Sequence, residues 1–212
     1  KSGKRNIEIL KKMYEKETKV GKADPRTVFL LGRELHAQKE YDDAIKHLEN
    51  YIENYRGWPG EQLQACTLLC DIYGQKKDLL NKKKWAFKSI ELHPTHAQSY
   101  LLASEICNNL GDYNASINFC NLADEQKIKH NDGNFESPKA ITFQYFNNKA
   151  EALIELGNFK EAIELIEEYF SLEQDKNLLE TIYPKYDYAQ KKLVIKKIVD
   201  GFVVSANVFL QE

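Results

Sequence analysis

The chain has few cysteines, little excess charge of either sign and no long apolar run. Its four cysteines, Cys66, Cys70, Cys107 and Cys120, are scattered over 212 residues, which argues against a disulfide scaffold and predicts a reducing, cytoplasmic setting. A formal net charge of -2 gives no electrostatic footprint for nucleic acid. No apolar stretch approaches the roughly 20 residues that span a bilayer. We therefore expect neither nucleic acid nor a membrane as a partner.

Motifs that bind phosphate or activate a nucleophile do not occur: the sequence contains no GxxxxGK[ST], GxGxxG or GxSxG. Zinc could be bound by Cys66 and Cys70 with His93 and His96. Both cysteines, however, occupy apolar positions of a helical pattern, where a thiol packs as a small hydrophobe. We expect no metal site, no cofactor and no catalytic residue on this chain. A group of acidic residues is interpreted as a solvated helix face: Glu161, Glu164, Glu167 and Glu168.

The composition is that of a soluble, helix-rich protein, with 42% hydrophobic and 29% charged residues. The first ten residues, KSGKRNIEIL, contain no initiator methionine and no apolar core of a signal peptide. This beginning predicts that the chain is a fragment of a longer protein.

A helical phrase recurs along the chain, most clearly at Tyr41–Leu48 (YDDAIKHL) and Phe159–Ile166 (FKEAIELI). Each phrase has an aromatic residue three positions before an alanine and an aliphatic residue four positions after it. A helical stretch with a small residue near its end precedes each phrase. Repeats of this kind predict a solenoid, which usually presents a binding surface.

The small residues of the first helices set the register of the repeat. Gly32, Cys70, Ser104 and Ala150 are 38, 34 and 46 residues apart. The middle spacing is the period of the tetratricopeptide repeat (TPR), and the other two add short loop insertions. In the second unit Lys82 stands where the second helix should have its small residue, so the packing of that unit is predicted to be irregular.

The pattern predicts an all-α, TPR-type superhelix, a right-handed solenoid of antiparallel helix pairs with a C-terminal capping helix. The predicted divisions are a linker helix in 1–22, a repeat region in 23–175 with units at about 25–58, 61–94, 95–129 and 138–174, and a capping segment in 176–212. Helices are expected near 6–18, 26–38, 41–55, 61–74, 78–92, 96–110, 113–129, 138–156, 159–171 and 176–199. The alternative of a strand stays open only for 202–210, which is rich in β-branched residues.

In a TPR stack the first helices line a concave groove, and their inward residues bind the ligand. The candidate residues are Arg26, Phe29, Arg33, His36, Gln64, Thr67, Asp71, Gln98, Leu101, Glu105, Gln144, Asn147 and Glu151. The TPR domains that bind chaperone tails hold a terminal carboxylate with lysines and asparagines. Phe29, Thr67 and Leu101 stand at such places here, which disfavours an acidic chaperone tail. The groove is predicted to bind a peptide, a partner protein or a neighbouring domain of its own chain.

The stretch DPRTVFLLGREL at 24–35, followed by EYDDAIKHLENYI, resembles the TPR region found C-terminal to family-2 glycosyltransferases of bacteria and phages. Residues 4–10 are similar to the linker helix that leaves the catalytic domain of those enzymes, and Trp58 and KWAFKSIELHPT at 84–95 match their second unit. The resemblance covers roughly 4–125. It implies a parent enzyme that transfers a sugar from a nucleotide donor with Mg²⁺ or Mn²⁺.

The Asp-x-Asp motif of such enzymes is not among these residues, so the resemblance implies a non-catalytic role in acceptor recognition or self-association. The alternative is a free-standing TPR adaptor that assembles other proteins. We also expect a possible homodimer, because Phe202, Val203 and Phe209 place apolar side chains near the end of the chain.

Overall fold

The structure, a computed structural model, describes the backbone of residues 2–55, 57–129, 138–173 and 175–209. Within those ranges the chain forms ten α-helices and no strand. The helices are α1 (Ser2–Lys19), α2 (Pro25–Ala37), α3 (Tyr41–Asn54), α4 (Pro59–Gln75), α5 (Leu79–Leu92), α6 (Ala97–Asn109), α7 (Tyr113–Lys129), α8 (Pro138–Glu155), α9 (Phe159–Leu172) and α10 (Lys176–Phe209).

The predicted helices agree with the structure except at the two ends of the chain. Every helix from α2 to α9 begins and ends within two residues of its expected bounds. The first helix begins four residues earlier than expected, at Ser2, and the last continues to Phe209 instead of ending near 199. The alternative of a strand is therefore wrong for 202–209, and residue 210 lies outside the described backbone.

The helices form two layers. The inner helices α2, α4, α6, α8 and α10 contact one another in series, and each outer helix packs between two successive inner ones. Between outer helices the described contacts are made by side chains: Trp85 Nε1 of α5 donates to Glu49 Oε1 of α3 at 3.2 Å, and the rings of Phe87 of α5 and Phe119 of α7 meet edge-on with centroids 5.7 Å apart. The backbones of successive inner helices approach one another more closely than those of the outer helices. The stack therefore curves around the inner layer, and the even-numbered helices line the concave face.

The same turn joins the two helices of every unit. Lys39, Lys77, Gly111 and Gly157 each follow the small residue of the first helix by seven positions, and all have positive φ, between 58° and 77°. In each unit the next N–H donates to a carbonyl five residues earlier, as from Glu40 to Leu35 at 2.9 Å. A left-handed residue followed by a hydrogen bond to the carbonyl five residues earlier is a Schellman motif. It ends the first helix of the unit and turns the chain towards the second.

The small residue lets the two helices of a unit approach closely. A Cβ at Gly32 would lie 2.8 Å from Leu48 Cδ2, so any side chain there would push α2 and α3 apart. In the third unit Ser104 Oγ lies 3.1 Å from Ser116 Oγ, and both serines are fully buried. Close approach is thus retained where the small residues are polar, because the two hydroxyls satisfy each other.

The two end helices cover the ends of the stack. Ile7 of α1 is buried against the first unit, and the Tyr14 ring meets the His47 ring edge-on at 5.0 Å. At the other end Ile182 and Ala189 of α10 are fully buried against α8 and α9. The first half of α10 therefore serves as the final cap, since a solenoid must cover its last apolar face. That residues 1–22 link to a catalytic domain stays a prediction.

Candidate peptide-binding groove

The inner face of the first two units carries accessible polar side chains. On α2, Arg26 and Arg33 have side chains that are 68% and 42% exposed, and they lie on the same face, about 10 Å apart along the helix. Both have only long contacts with neighbouring carboxylates, Arg26 with Glu61 at 3.8 Å and Arg33 with Glu34 at 3.5 Å. Ion pairs of this length at a surface contribute little, so both guanidinium groups can bind an anionic group of a ligand.

The second inner helix contributes a carboxylate of the opposite sign. Asp71 of α4 lies across the groove from α2, with Oδ2 2.6 Å from Nε2 of His36. Its side chain is 47% exposed, so the carboxylate retains acceptor capacity towards solvent. Gln64 and Thr67 of the same helix are half-buried. The accessible charges are thus cationic at Arg26 and Arg33 of α2 and anionic at Asp71 of α4, a polarity that the sequence analysis did not predict.

Three of the predicted groove residues are buried and not available to a ligand. Phe29 is 2% exposed and packs against the Tyr51 ring, with centroids 5.4 Å apart. Gln98 and Leu101 of α6 are each 1% exposed. Their assignment to an accessible groove surface is therefore corrected. Phe29 belongs to the core of the first unit, and Leu101 belongs to a cluster that includes Cys120 of α7 and Ile141 of α8.

The groove is closed between the third and fourth units. Asn148 Nδ2 of α8 donates to the Leu101 carbonyl at 3.2 Å, and Asn108 Nδ2 of α6 donates to the Asn148 carbonyl at 2.9 Å. Both asparagines are buried. These two hydrogen bonds, one donated from each helix, join α6 and α8 directly. The two helices also contact each other more extensively than α2 and α4 do. The sequence offered no signal for it beyond two asparagines in apolar surroundings.

The acidic candidates of the last two units are engaged within the protein. Glu105 accepts from Lys82 of the outer helix α5. Glu151 and Asn147 both accept from Lys185 of α10, at 2.9 Å and 2.7 Å. These residues therefore line the concave face, but their charges are partly neutralised by lysines from neighbouring helices. Gln144 is half-buried on α8.

An aromatic side chain stands at the open end of the groove. Trp58 precedes α4 and is 67% exposed. It lines a shallow cleft of about 260 Å³ with Pro25, Arg26, Gly57 and others of the two adjoining helix N-termini. Beneath the cleft, the Tyr51 hydroxyl donates to Glu61 Oε2 at 3.0 Å. Trp58 thus extends the accessible surface of α2 and α4 with one large apolar group.

Metal and thiol chemistry have no assembled site in the described residues. No group of three or more His, Cys, Asp or Glu side chains lies close enough to hold a metal ion in that part of the chain. Burial raises the pKa of the Cys66 thiol to about 12 and also raises the pKa of Cys70. A thiol at such a pKa is protonated at neutral pH and is a poor metal ligand or nucleophile.

Among the described helices, none combines the length and the apolar character needed to cross a bilayer.

Comparisons with known proteins agree with the helix pairs seen here. The family model described as tetratricopeptide repeat matches residues 97–127 and 143–176, which cover most of the pairs α6–α7 and α8–α9. No curated protein matches the sequence. The crystal structure of BtubC (BKLC) from P. vanneervenii is similar over 96% of this chain and 92% of that one, with a TM-score of 0.62 and 12% identity.

A second solved structure, the TPR2AB-domain:pHSP90 complex of yeast Sti1, covers 90% of this chain and 79% of that one, with a TM-score of 0.48 and 16% identity. At these sequence identities the similarity shows a shared fold and nothing further. The evidence for that shared fold is the similarity to the BtubC structure. The two matched repeats, the two-layer helix stack and the turn shared by all units establish that this chain folds as an all-α, TPR-type superhelix.

Proposed function

We propose that the chain is a non-catalytic protein-interaction module that binds an extended segment of a partner protein along α2 and α4. The observation that carries the proposal is the contrast between the two halves of the concave face. Units one and two leave Arg26, Arg33 and Asp71 accessible. In units three and four, α6 and α8 close the groove, and lysines of α5 and α10 partly neutralise its acidic residues. The accessible half is where a ligand gains new contacts.

The polarity of this half selects the ligand. Adjacent packed helices have axes about 8–10 Å apart, and an extended chain advances about 3.3–3.6 Å per residue. A peptide crossing from α2 to α4 therefore spans this distance in about three residues. An acidic residue beside Arg26 and Arg33 is then followed three positions later by a basic residue beside Asp71. An apolar residue at either end of that segment can pack on Trp58.

The test uses two synthetic peptides that differ only in their charges, Asp-x-x-Lys and Asn-x-x-Gln with the same flanking residues. Fluorescence anisotropy with labelled peptides should show that the charged peptide binds at least about tenfold more tightly, about 1.4 kcal/mol. Arg33→Glu should abolish the preference. Lys160→Glu on the outer helix α9, where the side chain is 80% exposed, is the matched control and should leave it unchanged. Equal affinity for both peptides would contradict the proposed groove.

We further infer that this module belongs to a glycosyltransferase, in which it recognises the acceptor or mediates self-association. The support is the sequence resemblance at 24–35 and 84–95. The first of these segments contains Arg26 and Arg33, so the residues that carry the resemblance also line the accessible groove. The alternative is a free-standing adaptor with no enzyme attached, for which the same groove would serve equally well.

Sequencing the reading frame upstream of Lys1 distinguishes a glycosyltransferase from a free-standing adaptor. A domain of roughly 200 residues with alternating strands and helices and an Asp-x-Asp motif supports the glycosyltransferase. If the frame encodes such a domain, the full-length protein should hydrolyse or transfer from a nucleotide sugar, and Arg33→Glu should raise KM for the acceptor with little change in kcat. Further TPR units in its place would support the adaptor.

A further inference from the structure

An aromatic cluster lies at the surface where the last repeat unit meets the capping helix. The rings of Phe170 on α9 and of Tyr183 and Tyr186 on α10 contact one another, with centroids 5.3 to 6.4 Å apart. Tyr183 is 56% exposed, and the other two residues are half-buried. A residue that only covered the last apolar face would be buried, as Ile182 of the same helix is. The cluster therefore presents an aromatic surface to solvent that capping does not require.

Carboxylates surround the aromatic cluster. The Tyr186 hydroxyl donates to Glu167 Oε1 at 2.8 Å, which holds that carboxylate beside the rings. Glu168 follows on the exposed face of α9, and on α10 Glu180 and Asp187 lie one turn to either side of the exposed tyrosine. Two members of the acidic group noted in the sequence, Glu167 and Glu168, thus lie next to aromatic side chains.

The charge at the cluster remains negative when the neighbouring lysines are counted. Two ion pairs on α10 are neutral, at 2.7 Å and 3.9 Å: Lys191 with Asp187, and Lys176 with Glu180. Lys185 donates to Glu151 on the concave face. In the described part of the chain, no lysine or arginine lies within 4.0 Å of the carboxylates of Glu167 and Glu168. The aromatic cluster therefore has two unpaired carboxylates at its edge.

The excess of negative charge is confined to this end of α9. At the other end, one cleft is lined by two glutamates and three lysines: Glu161, Glu164, Lys160, Lys196 and Lys197. That cleft is not acidic, and it lies more than two helical turns from Phe170. The acidic and aromatic features thus coincide only around the aromatic cluster.

Aromatic faces and unpaired carboxylates together recognise cations. A cationic group is attracted to the face of a tyrosine ring when it lies within about 6 Å of the ring centroid. Arginine suits such a surface best, because its planar group stacks on a ring and donates two parallel hydrogen bonds to a carboxylate. On the same helix Lys192 lies over the Tyr188 ring at 5.3 Å, whereas no described cation lies over the ring of Tyr183.

We infer that this surface binds an arginine-rich segment of a partner protein. One arginine stacks on Tyr183 and pairs with Glu167, and a second pairs with Glu168. The rings and the bond from Tyr186 to Glu167 are already in place, so few side chains have to be ordered on binding. The sign of the charge disfavours nucleic acid and anionic lipid as occupants, because an acidic surface repels both.

This inference is independent of peptide binding in the groove, which lies on the first two units at the other end of the stack. It is also separate from the possible homodimer. That dimer stays a prediction, because the side chains of Phe202, Val203 and Phe209 lie outside the described residues.

The test compares fluorescein-labelled tetra-arginine with tetra-citrulline, which has a similar shape and no charge. Fluorescence anisotropy with the full chain should show that tetra-arginine binds at least about tenfold more tightly. Raising the NaCl concentration from about 50 mM to about 500 mM should weaken its binding, because these charges are exposed and salt screens them. Equal affinity for the two peptides would overturn the inference.

Variants locate the binding surface. Tyr183→Ala and Glu167→Gln should each weaken binding of tetra-arginine about threefold to fivefold. Both should keep the far-UV circular dichroism of the wild type, since Tyr183 is exposed and glutamine retains an acceptor for Tyr186. Tyr188→Ala is the matched control and should bind as the wild type does, because Tyr188 is 47% exposed but lines a cleft with α8. Wild-type affinity in both Tyr183→Ala and Glu167→Gln would overturn the inference.

One further variant separates this surface from the groove. Asp71→Asn removes the accessible carboxylate of α4 and should leave the binding of tetra-arginine unchanged. If Asp71→Asn abolishes that binding, the arginines bind in the groove. The inference is then overturned, while the proposed function stands.

Discussion

Lys82 of the outer helix α5 reaches through the second unit to the inner helix α6, where its Nζ lies 2.5 Å from Glu105 Oε1 and 2.9 Å from Asn109 Oδ1. It stands at the position that alanine or serine occupies in the other units. The end of the lysine passes beside Gly74 on the inner helix of the same unit, where a Cβ would lie 3.5 Å from Nζ. The irregularity predicted for this unit is thus a polar contact between two units.

The two partners of this contact differ in burial, and this decides which substitution costs more. The Lys82 side chain is 7% exposed and that of Glu105 is 45% exposed. Lys82→Met preserves the volume and frees a carboxylate that water can solvate, so stability should change by less than about 1 kcal/mol. Glu105→Ala leaves a buried ammonium with fewer partners and should cost about 2–3 kcal/mol. Urea denaturation checks both values.

The double variant Lys82→Met/Glu105→Ala is the control for that prediction. It removes both charges and should recover most of the stability lost in Glu105→Ala. If Glu105→Ala is as stable as the wild type, the ammonium is not held by this carboxylate.

Gly57 is required by its closeness to a buried tyrosine. A Cβ at Gly57 would lie 1.7 Å from the Tyr51 hydroxyl oxygen. Tyr51 is fully buried, and its hydroxyl donates to Glu61 Oε2. Gly57→Ala should therefore destabilise the protein by about 1–3 kcal/mol through overpacking. Gly74→Ala makes only ordinary contacts in a helix and should stabilise it by about 0.5–1 kcal/mol. Equal thermal midpoints for the two variants would contradict the crowding at Gly57.

Two histidines should make stability depend on pH near neutrality. Burial lowers the pKa of His93, with a smaller contribution from His96, and burial also lowers the pKa of His47, from ordinary values of 6.5. Below pH 6.5 the unfolded chain therefore binds more protons than the folded one, and the free energy of unfolding falls as the pH drops. Urea denaturation should show a loss of stability between about pH 7.5 and pH 5.5.

Replacing both histidines isolates that effect from the carboxylates. Aspartates with lowered pKa, such as Asp78, whose carboxylate accepts from Asn81, lose their stabilising effect only at lower pH. His47→Gln/His93→Gln should therefore flatten the pH dependence in this window. A double variant with the same slope as the wild type would show that other groups titrate there.

The repeated turn allows the backbone conformation to be tested separately from packing. Lys77 holds φ at 58° with a side chain that disfavours this region, while Gly111 holds 77° at the equivalent position of the next unit. A Cβ at Gly111 would meet no described atom within 4 Å. Gly111→Ala should thus cost about 1–2 kcal/mol from backbone strain alone. Lys77→Gly should be neutral or stabilising by under about 1 kcal/mol, because relief of strain opposes the entropy of glycine.

The helix pairs could be predicted from sequence because local signals repeat. The prolines that begin α2 and α8 and the glycines at 111 and 157 fix helix bounds through interactions of nearby residues, while the recurring small residues Gly32 and Ala150 set the register of the pairs. Lys39 and Lys77 escaped notice as turn residues, because no side-chain type other than glycine or asparagine indicates a left-handed conformation. Their place seven residues after the small residue was the available signal.

The extent of the groove could not be predicted, because it depends on how far successive units are offset. Gln98 and Leu101 occupy the same register as Gln64 and Thr67, yet only the latter two are accessible. Leu101 packs in one cluster with Ile141 of α8, the helix that follows the longest spacing and packs closely on α6. The length of that spacing is visible in the sequence, but the direction in which it shifts the next unit is not.

The uneven contact between successive inner helices also has a mechanical consequence. α6 and α8 are tied by the paired asparagines, whereas α4 and α6 have the sparsest contact of any neighbouring inner pair. Successive units are thus joined by different layers: the outer helix α5 joins the second unit to the third, whereas the inner helices themselves join the third unit to the fourth. Pulling the stack apart would therefore break side-chain contacts of an outer helix at one junction and hydrogen bonds between inner helices at the next.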